Sequence, residues 1–479
     1  MQEDIFPAAE KILSDLENVL KKNSSLKSFE IIPCEDNENK SPVFHQEDSL
    51  GLASWCVQPL YCYTHRRLLE HRGNKHRRED PSIIARWLSG ALLLNPDTAT
   101  FWNMRRELVK SNKLDVIEEL AFTRLALYVK ARSFDALSYR RWLLPYVLNS
   151  EGKNYDLAIV EPTLTTEMIV NTICANRYPT NYHAWSHRKC VMILKEFYGH
   201  TNPSYEKEWK DSLAWCQLNV SDYSGQCYRQ YLLEKFLLAT DINSKDNLLK
   251  CVKSSDYQSR CHMVMDYVSD VFYLTHDNNS QSNQESNDNE KNNDSSTTQH
   301  CITSHTLDLL HGKARLGIST TTNSTSTSTI TNNSSSSSNL KLEPWQICFL
   351  ALSYWVEECK ANEECIKMYE DHEALWSQRR YLAHLLLRFI ESYKKYSYYK
   401  SDIILDYRRR PTEQHEIDEI VYKQSNDKNQ DKNKEKAPLI QAFLNRTREI
   451  TDLAAKRGSH EQFLVEKCIK YLGDIHLQF

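Results

Sequence analysis

The stretch Asn181-Tyr-His-Ala-Trp185-Ser-His-Arg188 decides the fold, because its skeleton occurs again elsewhere in the chain. A related block reads Phe101-Trp102-Asn-Met-Arg105, and another reads Leu375-Trp376-Ser-Gln-Arg379. A motif that returns at intervals of tens of residues is typical of proteins built from stacked copies of one supersecondary unit. The sequence therefore predicts a repeat protein.

Six blocks align on a reference position, which is usually aromatic: Tyr63, Trp102, Leu137, Trp185, Gln226 and Trp376. Three residues later every block has arginine: Arg66, Arg105, Arg140, Arg188, Arg229 and Arg379. Positions three apart lie on one side of a helix. There a Trp buries a large area at a seam between helices. An Arg can stack over that ring and direct its donors at a neighbouring carboxylate or helix-end carbonyl. We therefore predict a structural role for Trp102, Arg105, Arg140, Trp185, Arg188, Arg229, Trp376 and Arg379.

Helix signals surround these blocks. Residues 7–22 have an amphipathic pattern, whereas 23–45 are polar and read as a loose connection. Asp80-Pro81 is typical of a helix start and Asn95-Pro96 of a stop. Thr165 or Thr166 is expected to open another helix, and Asn181 to cap the one that carries Trp185. The pattern predicts pairs of helices joined by short turns.

The predicted fold is all-α: a right-handed α-α superhelix, a crescent of stacked helical hairpins with disordered insertions. An N-terminal helix and linker occupy 1–49, the first five repeats 50–275, and a final repeat 342–400. C-terminal helices are expected over 439–479. The Asn/Ser/Thr-rich insertion 276–341 and the polar linker 401–438 have too few apolar residues to offset the entropy of ordering.

Composition narrows the function classes. The formal net charge of -4 gives no general case for nucleic acid or a membrane surface as partner. A short basic cluster over 65–78 leaves RNA binding as a minor alternative. The 14 cysteines include no C-x-x-C pair, so no metal site is expected in this chain. We read no signal peptide and no transmembrane run, and expect a cytoplasmic protein with reduced thiols.

The Asn-Tyr-x-x-Trp-x-x-Arg blocks resemble the α-subunit repeat of protein prenyltransferases. The resemblance covers about 50–275 and 342–395. It implies a non-zinc α subunit of a heterodimeric enzyme, inactive alone, that wraps a β subunit carrying zinc and most of the isoprenoid pocket. The reaction implied is transfer of an isoprenoid from its diphosphate to cysteines near protein C-termini, and the geranylgeranyl group is the first candidate for that isoprenoid. The β subunit of Rab geranylgeranyltransferase is the first candidate partner.

The resemblance also implies site residues. A family lysine that touches the diphosphate corresponds to Arg132 here, which keeps the charge but changes the geometry. Asn181, Tyr182 and His183 match family residues that line the substrate groove. The block after Arg132 departs from the family pattern, with Phe134 in place of Tyr and Leu137 in place of Trp.

Structural interpretations of these residues stay open beside the functional ones. Tyr182 is also explained as an aromatic at a repeat seam, His183 as a capping or surface residue, and Arg132 as a solvated helix-end charge. For the whole chain, the alternative to an enzyme subunit is a catalytically silent helical-repeat scaffold for protein–protein interaction. The departures at Phe134 and Leu137 favour that alternative.

Overall fold

The computed structural model describes residues 6–23, 25–34, 41–73, 79–148, 157–198, 205–238, 259–269, 344–405 and 437–477. The chain divides into two compact units. Residues 1–203 and 222–228 form the first, and residues 204–221 and 229–479 form the second. The insertion predicted over 276–341 lies outside the described residues, and so does most of the linker predicted over 401–438.

Helices form most of the described chain. The first unit contains α1 (Ala9–Lys22), α2 (Ser54–Gly73), α3 (Pro81–Leu94), α4 (Ala99–Lys110), α5 (Val116–Val129), α6 (Phe134–Leu148), α7 (Leu157–Arg177) and α8 (Tyr182–Phe197). The second contains α9 (Tyr205–Leu218), most of α10 (Tyr223–Leu238), α11 (259–269), α12 (Pro344–Met368), α13 (Glu373–Leu405), α14 (Pro438–Ala454) and α15 (Ser459–Asp474).

Neighbouring helices pack as pairs along the chain. In the first unit α3 packs on α4, α5 on α6, and α7 on α8. In the second unit α12 packs on α13, and α14 on α15. The predicted class, helical hairpins in sequence order, is therefore confirmed for the described residues.

The start of α3 illustrates why these segments become helices. The Asp80 carboxylate accepts the Ser82 backbone N–H at 2.7 Å, and Pro81 occupies the first helical position. Both features satisfy or remove donors that a helix N-terminus leaves unpaired. The stripe of Ile84, Trp87 and Leu88 is buried, as its helical spacing predicts.

A small sheet corrects the prediction of a loose connection over 23–45. Strand β1 (Ser28–Ile32) pairs in parallel with β3 (Ser49–Ala53), which pairs antiparallel with β2 (Val43–Gln46). Phe29, Leu50 and Leu52 are buried in the sheet, and β1 packs on α5. The polar residues between β1 and β2 concealed this apolar alternation in the sequence.

The predicted start of α7 is also wrong. The helix begins at Leu157 and not at Thr165 or Thr166. The Thr166 hydroxyl donates to the Pro162 carbonyl at 2.8 Å. A threonine that bonds back to the preceding turn lies inside a helix and does not cap it. In the second unit α13 continues to Leu405, past the end predicted at residue 400.

Candidate functional site

The turns that lead into α4, α6 and α8 lie next to one another, and we call them the loop edge (residues 95–98, 130–133 and 178–181). The Ser133 hydroxyl donates to the Pro96 carbonyl at 3.1 Å. Asn181 Nδ2 donates to the Ala131 carbonyl at 2.8 Å. Ser133 and Asn181 each precede the second helix of a hairpin, and each side chain therefore binds the turn of the preceding hairpin.

Arg132 lies on the exposed side of the loop edge. Its Nη1 donates to the Tyr178 hydroxyl at 3.0 Å, and its guanidinium carbon is 5.1 Å from the centroid of the Tyr178 ring. The guanidinium has five N–H donors, and this contact uses one of them. The structure thus places a charged donor group at a solvent-facing edge, supported from one side by a tyrosine.

His183, in the first turn of α8, lies near Arg132 and next to the loop edge. Its ring centroid is 5.3 Å from that of Phe134 and 5.8 Å from that of Tyr182. Burial lowers the pKa of His183, the positive charges of Arg132 and Arg141 lower it further, and Asp97 opposes the shift. His183 is therefore neutral near pH 7. A bound anion would offset the two arginine charges and raise this pKa.

Arg141 is a residue that sequence reasoning did not select. Its guanidinium carbon is 5.8 Å from the centroid of the Phe134 ring, and its charge acts on His183. The signal was present in the sequence, because Arg141 follows the repeat Arg140 directly. The alignment treated only the first arginine of that pair as informative.

Exposed rings occur at the same place in three consecutive hairpins. Phe134, Tyr182 and Tyr223 each begin the second helix of a hairpin, and their exposed fractions are 53%, 63% and 41%. The ring of Tyr182 is therefore a surface group, and its alternative explanation as a seam aromatic does not fit. A large exposed ring repeated at one register position indicates a surface available for contact.

Asn181 is placed differently from its two neighbours in sequence. It is fully buried, and its Nδ2 also donates to the Cys174 carbonyl at 3.1 Å. Its Oδ1 accepts the Ala184 N–H at 3.2 Å, which confirms the predicted cap. These bonds correct the expectation of a substrate contact at Asn181, because its amide is turned inward onto backbone groups.

Carboxylates balance part of the positive charge at the loop edge. Lys130 Nζ is 2.5 Å from Asp97 Oδ2, and both side chains are exposed. Bonds from Lys130 and Ser133 hold the pKa of Asp97 below its usual range, against the effect of burial. Lys130 is therefore already paired, which leaves Arg132 and Arg141 as the cations nearest His183.

Most of the repeat arginines lie away from this edge, in the core. Four of them are buried in ion pairs: Arg105–Glu119, Arg140–Glu167, Arg229–Glu358 and Arg379–Glu363. In the first two pairs the glutamate comes from the first helix of the following hairpin, and in the third it comes from α12, which follows α11 in the chain. The first three contacts connect different hairpins, whereas Arg379–Glu363 joins the two helices of one hairpin, and all four give these arginines packing roles.

A second contact of these arginines points backwards along the chain. Arg140 Nη1 donates to Thr123 Oγ1 at 2.7 Å, and Arg229 Nη1 donates to Ser212 Oγ at 2.9 Å. Arg188, which is half-buried, donates to Thr172 Oγ1 at 2.9 Å. In the first block Arg66 is exposed and pairs with Glu70 on its own helix. The inter-helix role is therefore not common to all copies.

The expected stacking of an arginine on its own block's ring is found at Arg188, whose guanidinium carbon is 5.7 Å from the centroid of the Trp185 ring, and is corrected at Arg105 and Arg379. Arg105 lies 4.1 Å from the centroid of the Phe122 ring, and Arg379 lies 4.0 Å from that of Phe443. Both rings belong to neighbouring helices. Side chains three residues apart point the same way from a helix, so Trp and Arg both extend to the next helix.

The reference tryptophans are buried at those seams. Trp102 Nε1 donates to the Pro96 carbonyl at 2.7 Å, and Trp376 Nε1 donates to Glu461 Oε1 at 3.0 Å. Trp185 packs against Tyr228 with ring centroids 5.1 Å apart. These contacts give the tryptophans packing roles.

A buried histidine joins one of the ion pairs. His187 Nε2 is 2.9 Å from Glu167 Oε2, and the same carboxylate accepts Arg140. Arg140 and His187 lower the pKa of Glu167 to about 2, although burial opposes this. Burial lowers the pKa of His187, and Glu167 opposes that shift. The sequence alignment did not select either Glu167 or His187.

Two general features bear on the chemistry. Among the described residues, no three His, Cys, Asp or Glu side chains are grouped so as to hold a metal ion. Within the same ranges, none of the helices combines the length and apolar character needed to span a membrane.

Comparison with known proteins agrees with the repeat architecture. Residues 164–193 match the family model described as protein prenyltransferase alpha subunit repeat. Over 254 residues the chain is 33% identical to the human protein prenyltransferase alpha subunit repeat-containing protein 1, covering 50% of this chain and 62% of that protein. The Danio rerio protein of the same name is 32% identical over 245 residues, covering 49% and 57%.

A more distant relative is the human geranylgeranyl transferase type-2 subunit alpha. It is 30% identical over 151 residues, or 29% of this chain and 23% of that protein. The chain spans about three fifths of the length of the first relatives it matches.

The hairpins and their arginine-centred seams define a helical-repeat protein. The repeat block, the family model and the relatives all indicate the same kind of repeat. Residues 164–193 match the protein prenyltransferase alpha subunit repeat, and about half of the chain is similar to proteins that are named for this repeat.

Proposed function

We propose that this chain is the α subunit of a heterodimeric protein prenyltransferase that transfers a geranylgeranyl group to cysteines near protein C-termini. The observation that carries the proposal is the exposed cluster of Arg132, Tyr178 and His183 beside the rings of Phe134 and Tyr182. It combines cationic donors with apolar surface. An isoprenoid diphosphate has the complementary combination.

Arg132 is assigned to the diphosphate of the isoprenoid co-substrate. Its free N–H donors can bind two phosphate oxygens at once, since the planar guanidinium matches that geometry. Negative charge grows on the leaving diphosphate during transfer, so a fixed cation beside it stabilises the transition state. Arg141 adds a second positive charge nearby.

His183 is assigned a supporting role toward the same group. As a neutral imidazole with a lowered pKa, it can donate one hydrogen bond without competing with Arg132 for a counter-charge. On diphosphate binding its pKa rises, and protonation would then add charge where the leaving group needs it. Phe134 and Tyr182 offer apolar contact to the isoprenoid or to the partner chain.

The partner in this proposal is a β subunit, with that of Rab geranylgeranyltransferase as the first candidate. Zinc, held by the β subunit, would supply the thiolate form of the substrate cysteine. Support comes from the family, and from a relative whose own name is that of a geranylgeranyl transferase α subunit. Protein substrates with cysteines near the C-terminus and a cytoplasmic location belong to the same proposal.

The alternative function is a catalytically silent scaffold. Leu137 at the reference position and Phe134 in place of the family's tyrosine favour it, and so does the pairing of Arg132 with Tyr178. Under this alternative the exposed rings bind a partner and Arg132 contributes nothing to chemistry.

Co-expression with candidate β subunits, followed by a transferase assay, separates the two functions. We expect turnover with at least one β subunit and a loss of about tenfold or more for Arg132→Ala, because a charged hydrogen bond is removed. Arg388→Ala is the matched control, since Arg388 is exposed on α13 and pairs with Glu234. Stable complexes without turnover for any β subunit would establish the scaffold.

A further inference from the structure

In the turns before α4 and α6, a hydrogen bond from the next hairpin fixes the orientation of one peptide bond, which we call the link. In the link Pro96–Asp97 the carbonyl accepts the hydroxyl of Ser133, and in the link Ala131–Arg132 it accepts Nδ2 of Asn181. Both partners begin the next hairpin's second helix. Both present a hydrogen-bond donor, and the carbonyl faces it.

The equivalent link is turned over in two other turns. The N–H of Thr180 donates to Asp222 Oδ2 at 2.7 Å, and the N–H of Asp371 donates to Glu461 Oε2 at 2.5 Å. Thr180 and Asp371 have φ of 53° and 62°, in the left-handed region. Turning a peptide plane over exchanges its C=O and N–H directions and moves φ of the following residue by a large amount.

The partner's chemistry therefore correlates with the orientation of the link. In two turns the partner is a donor side chain and the carbonyl of the link faces it. In the other two turns the partner is a carboxylate and the N–H of the link faces it. A carboxylate can only accept, so it cannot satisfy the carbonyl. A left-handed φ is disfavoured for residues with a Cβ, so the turned-over link needs a partner that requires it.

Arg132 is the residue that follows this link in its own turn, in the place that Thr180 and Asp371 occupy in theirs. Because Asn181 holds the Ala131 carbonyl, Arg132 keeps an ordinary φ and reaches Tyr178. If the link turned over, the Arg132 Cα–Cβ bond would change direction relative to Tyr178 and His183.

We propose that Asn181 is a positioning residue for Arg132, and that the choice of an amide over a carboxylate at this position selects the orientation of the Ala131–Arg132 link. The proposal rests on the proposed function, in which Arg132 contacts the diphosphate. In this proposal the fully buried side chain of Asn181 determines where the exposed guanidinium of Arg132 lies.

Two substitutions separate positioning from helix capping. Asp and Ser both cap helices well, so Asn181→Asp and Asn181→Ser should preserve the start of α8 equally. Only serine keeps a donor for the Ala131 carbonyl, as Ser133 does for Pro96. The introduced carboxylate should instead favour the turned-over link, as Asp222 does for Thr180.

The first measurement is amide hydrogen exchange on the full chain, resolved at Arg132. We expect Asn181→Asp to slow exchange of the Arg132 N–H at least severalfold, since that N–H gains a carboxylate acceptor, and Asn181→Ser to leave it unchanged. Asp222→Asn is the reciprocal variant. Its amide keeps an oxygen for the Ser224 N–H, and exchange should become faster at Thr180. Equal exchange in all variants overturns the proposal.

The second measurement uses the complex with the β subunit and geranylgeranyl diphosphate as the varied substrate. We expect Asn181→Asp to lower kcat/KM about as much as Arg132→Ala, with no further loss in the double variant, and Asn181→Ser to remain within about twofold of the parent. If Arg132→Ala is harmful and Asn181→Asp is not, the positioning proposal fails alone. If Arg132→Ala is without effect, the proposed function fails, and hydrogen exchange still decides the orientation.

Discussion

Replacing Glu167 by glutamine tests whether the buried ion pairs hold the hairpins together. Glu167 is 1% exposed and accepts hydrogen bonds from Arg140 on α6 and His187 on α8. Glutamine keeps the volume but presents an NH₂ group where two donors already point. The variant therefore leaves the Arg140 charge buried without a counter-charge, which typically costs about 3–5 kcal/mol.

The expected effect is large relative to the whole stability of a unit, which is about 5–15 kcal/mol. For a unit of this size each kcal/mol corresponds to about 2–4 °C, so we expect Glu167→Gln to lower Tm by about 6–20 °C. Thermal and urea unfolding followed by circular dichroism are suitable assays. The loss should appear in the transition of the first unit.

Glu70→Gln is the matched control for this substitution. Glu70 pairs with Arg66 four residues away on the same helix, and both side chains are largely exposed. Exposed pairs of this kind contribute about 0.3–0.5 kcal/mol, so its Tm should hardly change. If Glu167→Gln and Glu70→Gln shift Tm by similar small amounts, the seam is held by apolar packing alone and our account of the repeat arginines is refuted.

Three further outcomes are expected. Lowering the pH from 7 to 5 should reduce the free energy of unfolding. The pKa of buried His187 is lowered in the folded chain, so near pH 6.5 the unfolded chain takes up a proton that the folded chain does not. Denaturant titrations at each pH measure this dependence, and His187→Asn should make the free energy of unfolding less dependent on pH in this range. Below about pH 4 a second loss of stability should follow. The pKa of Glu167 is lower in the folded chain than in the unfolded chain, so its ionised carboxylate stabilises the fold at pH values above the unfolded pKa, and this contribution is lost as the pH falls. Glu167→Gln should lack this second loss. Gly90→Ala should lower the urea midpoint by the equivalent of about 1–3 kcal/mol, because the added Cβ would meet Leu13 of α1. Gly473→Ala is the control, and it should be neutral or slightly stabilising because the space around Gly473 is open. Equal effects of the two substitutions would contradict the close contact between α1 and α3.

The sequence was sufficient to predict the hairpins because each has local signals. Asp80-Pro81 and Asn95 mark both ends of α3, and Asn181 marks the start of α8. Such signals involve neighbours in the chain, so no tertiary information is needed to interpret them. The sheet had no comparable signal, because β1 and β3 pair across a polar segment.

The partners of the repeat arginines could not be predicted from spacing. Glu119 lies 14 residues after Arg105, whereas Glu358 lies 129 residues after Arg229. The alignment supplied the buried cation, and only the structure shows which of many glutamates reaches it. The burial of Asn181 was missed for a similar reason, since a family match identifies the residue but not the direction of its side chain.

The forward pairing of arginine with the next hairpin's glutamate has a consequence for how such a chain can change in evolution. The hairpin α5–α6 brings Glu119 to one seam and Arg140 to the other, so loss of this whole hairpin would still join Arg105 to Glu167. Loss of a single helix instead buries one charge alone, which is strongly destabilising. At these two seams the unit that can be lost is therefore the helix pair. Arg229 and Glu358 pair across 129 residues, so this seam does not require a short connection between its two helices.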